Sequence, residues 1–127
     1  MIYTEETRKQ LDAILKAFEG YIDGQNYFDI VYSKKAGYLW VVVDDPRAQA
    51  PEQICEPEDL LALLFNDIIN DVVAPRQSTS LNEAHSLTEQ EEMEIRRRVT
   101  AILETIEGSA DEYLEYLGGF IQDYQER

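Results

Sequence analysis

Asp44 and Asp45 stand side by side after the apolar run LWVVV and before Pro46, and Asp67 and Asp71 lie one helical turn apart further along the chain. Brought together, these four carboxylates could hold Mg²⁺ or Mn²⁺, or act as a paired acid and base. The first pair has a simpler account, because an Asx-type turn before a proline needs only the local backbone. The Asp-x-Asp-x-Asn-Gly pattern of a calcium loop is absent, as are a glycine-rich phosphate loop and a nucleophile elbow. A carboxylate-based metal enzyme is therefore the third reading. The expectation is a protein with no catalytic residues, no metal and no cofactor.

The other reactive residues stand alone. His85 is the one histidine, in a polar stretch with no cysteine near it, and reads as an exposed imidazole. Cys55 has no second cysteine to pair with. A thiol just before a helix start can have its pKa lowered, but the position reads as a small buried apolar group. Arg96, Arg97 and Arg98 form the one basic cluster, and Glu92 and Glu94 precede Arg96 and Arg98 by four residues, so acid-base pairs along a helix account for it.

Charge constrains function more than any motif. The 127 residues carry 26 Asp and Glu against 11 Lys and Arg, a formal charge of −15, whereas about 2 to 8 units keeps a small domain in solution. A field of this sign repels nucleic acid and anionic lipid and speeds encounter with basic partners. Direct nucleic-acid or membrane binding is not expected. Residues 99–126 hold Glu104, Glu107, Asp111, Glu112, Glu115, Asp123 and Glu126 with no base, and residues 44–71 hold Asp44, Asp45, Glu52, Glu56, Glu58, Asp59, Asp67 and Asp71 against Arg47 alone. As one continuous helix, residues 99–126 would carry a carboxylate per ~6 Å of axis, whereas duplex DNA carries a charge per ~1.7 Å. One helix does not imitate nucleic acid, but the two segments as neighbours would make a dense anionic face.

The leading expectation is a small acidic interaction protein of inhibitor or immunity type, docking on the basic, nucleic-acid-binding surface of an enzyme or toxin. Its partner-binding set would be Asp44, Asp45, Glu56, Glu58, Asp59, Asp67, Asp71, Glu104, Glu107, Asp111, Glu112 and Glu115.

These side chains must be positioned by elements that the pattern outlines. Thr4 is placed as an N-cap before a helix in which Leu11, Ile14, Leu15, Phe18 and Ile22 recur at helical spacing. Glu5 with Lys9 and Asp12 with Lys16 are expected to pair along it, and Gly20 or Gly24 to end it in the left-handed conformation. Residues 26–44 predict a hairpin turning at Lys34-Lys35-Ala36-Gly37. Phe28, Ile30 and Tyr32 are expected with Leu39, Val41 and Val43 on a hydrocarbon face. That leaves Tyr27, Tyr38 and Trp40 on a mixed face, either packed under loops or the last helix, or forming the homodimer contact of a structural or assembly domain whose charge is merely solubilising, the second reading.

Pro57, Glu58 and Asp59 open a helix in which Leu60, Leu61, Leu63, Leu64, Phe65, Ile68, Ile69, Val72 and Val73 exceed one apolar stripe. Pro75 predicts its end, with a polar loop over 74–87. Thr88 with Glu91, and Ser109 with Glu112, fit capping boxes for two further helices, the second kinked at Gly118-Gly119. The expected fold is one α+β domain over residues 1–127, with about four helices packed on one face of the small antiparallel β-hairpin. A lone hairpin is marginal, so either the helices supply nearly all of its burial or its edges pair further, with a short strand near Val72 to Thr79 or with another chain. The longest apolar runs fall far short of the ~20 residues of a membrane span, and the first residues lack a secretory pattern. Cytoplasmic residence is the expectation.

Overall fold

Thr4 starts the first helix as its spacing predicts: the side-chain oxygen accepts the Thr7 amide hydrogen bond at 3.1 Å, and α1 runs over Glu5–Ala17. At Phe18 the backbone leaves the helical region (φ −90°, ψ 4°), and a short α2, Glu19–Asp23, follows. Phe18 and Ile22 are both buried. Gly24 ends α2 with φ −80°, so neither expected glycine takes the left-handed conformation. Asp12 pairs with Arg8 at 3.2 Å rather than with Lys16, while the Lys9–Glu5 pair forms at 3.8 Å.

This computed structural model describes residues 2–26, 28–43, 50–77, 87–106 and 110–125. Tyr27, Asp44, Asp45, His85, Glu107 and Ser109 lie outside them. The architecture is α+β. Strands β1 (Phe28–Ser33), β2 (Gly37–Val42) and β3 (Glu52–Gln53) form an antiparallel sheet in the order β1-β2-β3. The further strand therefore comes from residues 52–53 and not from 72–79, whose described part, 72–77, is helical. Helix α3 (Pro57–Gln77) continues through the position of Pro75, so residues 74–77 are helix rather than loop. A proline there removes one amide bond in a terminal turn, too little to stop a helix already propagated over five turns.

Pairing across the hairpin corrects the expected faces. Ser33 pairs with Gly37 around residues 34–36, which sets Tyr32 opposite Tyr38, Ile30 opposite Trp40 and Phe28 opposite Val42. Directly opposed residues share a face, so Tyr38 and Trp40 lie with Phe28, Ile30 and Tyr32 rather than across the sheet from them. A one-residue difference in register exchanges the faces. Trp40 stacks on buried Phe28 with ring centroids 3.8 Å apart and planes within 10°, a contact contributing about 0.5–1.5 kcal/mol beyond its area.

The chain divides into two compact units, Met1–Leu60 and Leu61–Arg127. The first holds α1, α2 and the sheet, with Leu11, Ile14, Phe18, Phe28 and Ile54 buried. The second holds most of α3 with α4 (Glu89–Leu103) and α5 (Ala110–Gln125). Thr88 and Glu91 form the expected capping box. Phe65 of α3 meets Tyr116 and Phe120 of α5 at centroid distances of 6.1 and 6.3 Å. Leu64, Ile68, Ile95, Val99, Leu103 and Leu117 are fully buried. Helix α5 is continuous through Gly118 and Gly119. A side chain at Gly118 would come within 3.7 Å of the Arg96 guanidinium, so α4 and α5 approach closely at that point. No described helix is long and apolar enough to cross a membrane.

Candidate functional site

With an acidic excess this large, the informative question is which carboxylates the bases already neutralise. Each of the three arginines of α4 meets an acid of its own helix. Arg96 meets Glu92 at 3.2 Å, and Glu94 accepts from Arg97 at 2.6 Å and from Arg98 at 2.9 Å. Arg98 also reaches across to Asp71 of α3 at 2.8 Å. Bonds from Arg97 and then Arg98 hold the Glu94 carboxyl down to about 2. The pairing of Arg96 and Arg98 with Glu92 and Glu94 was legible from their spacing. The Asp71 contact was not, because it depends on how two helices pack.

The expected partner-binding acids divide accordingly. Asp71 is engaged by Arg98. Asp67 is buried, at 6% exposure. Asp59 caps α3: its carboxylate accepts the amides of Cys55 and Glu56, each at 3.0 Å. It stays exposed, as do Glu56 and Glu58 beside it in the first unit. In the second unit Glu104, Asp111, Glu112 and Glu115 are exposed.

Helix α5 gathers three of them on one surface with Asp123, which the expected set omitted. At 3.6 residues per turn, Asp111, Glu112, Glu115 and Asp123 fall within an arc of about 120°, and all four are exposed. Tyr113, Leu117 and Ile121 occupy the opposite, buried side. The hydrophobic spacing thus fixes the rotation of the helix, and that rotation turns the carboxylates outward together. Asp111 and Glu112 also sit in the first turn, where the helix dipole favours anions. No described ion pair involves any of these four acids. Along the axis they span ~18 Å at ~1.5 Å per residue.

For the other candidates, Tyr38 donates its hydroxyl to Asp12 at 2.6 Å and stacks on Tyr3, and Trp40 stacks on Phe28. The aromatic residue left half exposed on this face is Tyr32, at 49%. Cys55 is exposed rather than buried, because the turn before α3 fixes its amide on Asp59 and leaves the thiol outside. Among the described residues no group of three or more His, Cys, Asp or Glu could hold a metal ion.

One cluster carried no sequence signal. Tyr3, Arg8 and Asp12 from the amino-terminal segment meet Tyr32 and Tyr38 of the hairpin. Arg8 donates to Tyr32 at 3.1 Å and lies over its ring, 4.5 Å from the centroid. Only the i,i+4 spacing of Arg8 and Asp12 could have hinted at it. Compared with known proteins, the chain matches no protein-family model, no curated protein and no solved structure.

Proposed function

We infer that the protein is a small acidic cytoplasmic interaction protein that docks the outer face of α5 on a basic surface of a partner protein. The observation that supports the reading is the quartet Asp111, Glu112, Glu115 and Asp123, without a described ion pair and facing outward together, while Arg8, Arg96, Arg97 and Arg98 are engaged by other acids. A carboxylate per ~6 Å is too sparse to stand in for duplex DNA alone, at one charge per ~1.7 Å, but is well matched to Arg and Lys side chains spaced along a groove or helix. The basic surface of a nucleic-acid-handling enzyme or a toxin is the partner chemistry that fits, and occupying it would inhibit or neutralise that partner. Long-range attraction makes such association fast and salt-sensitive.

The test is retention of a partner from the native host on immobilised protein, eluted by a salt gradient. The same capture is run on a variant combining Asp111→Asn, Glu112→Gln and Glu115→Gln. The reading requires that affinity fall steeply with ionic strength and that the neutralised helix lose the partner. Equal retention by both proteins at every salt concentration removes it.

A further inference from the structure

The outer edge of β1 has no described strand beside it, and the backbone geometry shows which groups line it. Both backbone groups of Tyr38 face β3: its amide donates to the Tyr3 hydroxyl at 2.7 Å and its carbonyl accepts from the Ile54 amide at 2.9 Å. In an antiparallel ladder, opposed residues exchange bonds with each other or both turn away. Tyr32, opposite Tyr38, therefore turns its amide and carbonyl to the outer edge of β1, and so does Ile30, two residues away. The Ile30 amide confirms this, since it is bonded not to β2 but to the Asp29 carboxylate at 2.8 Å.

Helix α1 lies over the sheet face that bears Tyr32 and Tyr38, and with α2 it walls two cavities against β1. One, of about 350 Å³, lies at Tyr32 and is walled by Ile2, Arg8, Lys9 and Lys34, with Glu5 as its one acid. Glu5 is paired to Lys9, and Arg8 is held in place by Asp12 and Tyr32. The other, of about 340 Å³, lies at Ile30 and is walled by Leu15, Lys16 and the acids Glu19, Asp23 and Asp29. The first cavity is cationic in a strongly acidic chain, and the second is anionic. Residues two apart on an added strand point to the same face about 6.8 Å from each other, so one extended segment can place a side chain beside Tyr32 and the next but one beside Ile30.

We propose that the α1–β1 groove binds an extended peptide that adds to β1 as an antiparallel strand and carries the pattern acid-x-base. The acid lies opposite Tyr32 between Arg8, Lys9 and Lys34. The base lies opposite Ile30 among Glu19, Asp23 and Asp29. Main-chain bonds to the outer groups of Tyr32 and Ile30 supply affinity, and the two cavities supply specificity. The peptide must displace the Asp29 carboxylate from the Ile30 amide, and its own basic side chain then pairs with that carboxylate.

The probe is acetyl-Thr-Val-Glu-Val-Lys-Val-Thr-amide, labelled for fluorescence anisotropy, against the full chain. The expected result is saturable binding, weakened about tenfold, or about 1.4 kcal/mol, when Glu and Lys are made adjacent or exchanged in order. Lys34→Glu, at an exposed turn position, produces a similar loss while leaving the circular dichroism unchanged. The probe is net neutral, so its binding lacks the steep salt dependence of the α5 face, and the two readings fail separately. Equal affinity for all three peptides, or no saturation at roughly millimolar probe, overturns the proposal. So does a dimer in sedimentation that is dissociated by Tyr32→Pro, which would assign the edge to a second copy of this chain.

Discussion

The Tyr3 hydroxyl donates to the Ile54 carbonyl at 2.5 Å across 51 residues of sequence. It accepts the Tyr38 amide at 2.7 Å, so one side-chain oxygen is spliced into the ladder that joins β2 to the segment after β3. The direct half of that residue pair, from the Ile54 amide to the Tyr38 carbonyl, is present at 2.9 Å. A phenol therefore ties the start of the chain to the sheet. Tyr3→Phe keeps the ring and removes the oxygen, leaving a donor and an acceptor without their partner. The expected loss is about 2 kcal/mol, read from the urea midpoint followed by fluorescence of Trp40, the one tryptophan. An unchanged midpoint would mean that the two strands close directly on each other at no cost.

Gly37 belongs to the same arrangement. It is the one described residue with positive φ, at +79°, and a side chain there would run into the Tyr3 hydroxyl and ring. Gly37→Ala adds a conformational cost of about 1 kcal/mol to that collision. The variant should lose more than this, and part of the loss should vanish on a Tyr3→Phe background, where the hydroxyl is gone. A double-mutant cycle measures the difference. Strict additivity would show that backbone conformation alone demands the glycine.

Alkaline titration reads the same cluster. Burial raises the Tyr3 pKa, and burial followed by the bond to Asp12 pushes Tyr38 up to about 12. A tyrosine whose folded pKa exceeds its unfolded value of about 10 leaves stability intact below that pH and removes it as the pH climbs toward the folded value. The melting temperature should therefore hold to about pH 10 and decline from there to about 12. Tyrosinate absorbance should show late-titrating groups among the eight tyrosines. Tyr38→Phe should shorten the late phase. A single unshifted titration would remove the buried cluster.

Local signals reached most of the fold. The caps at Thr4 and Thr88, the turn at Gly37 and the start of α3 at Pro57 were legible because each rests on bonds within about four residues. The hairpin faces were misassigned because register depends on the turn, and a one-residue shift leaves the pattern of apolar residues equally plausible. Strand β3 is two residues long, both exposed, and carries no alternation to detect. The acids of α5 were visible as a base-free run, but their common face follows from the burial of Tyr113, Leu117 and Ile121. Asp67 and Asp71 were placed with them, because burial and the Arg98 contact are tertiary facts.

Glu94 is the acid-sensitive point of the second unit. Its carboxyl, held at about 2 against an ordinary 4.5, favours the folded state above its ordinary pKa and ceases to do so as the pH falls through the folded one. Acid should thus loosen the α4 arginines between pH 4.5 and about 2. In Glu94→Gln the melting temperature should depend less on pH across this window, while Arg98 keeps its second partner, Asp71. Identical pH profiles for the two proteins would show that the pair contributes nothing in solution, as is common for exposed ion pairs.

The Asp29 carboxylate also protects the sheet. An edge strand with unsatisfied backbone groups recruits other chains, and proteins blunt such edges with charge. Asp29 does this in two ways, placing an anion at the edge and occupying the outward Ile30 amide at 2.8 Å. Exposed Val31 and Tyr32 on the same strand make the guard necessary. Asp29→Ala removes both effects and should promote concentration-dependent self-association in sedimentation, with monomer stability changed by no more than about 0.5 kcal/mol. Asp29→Asn keeps an acceptor for the Ile30 amide and loses only the charge, so it should fall between the two. If the alanine variant sediments as the parent does at every concentration, the edge is protected by something other than Asp29. The free backbone groups of Tyr32 would then be insufficient to recruit a strand unaided.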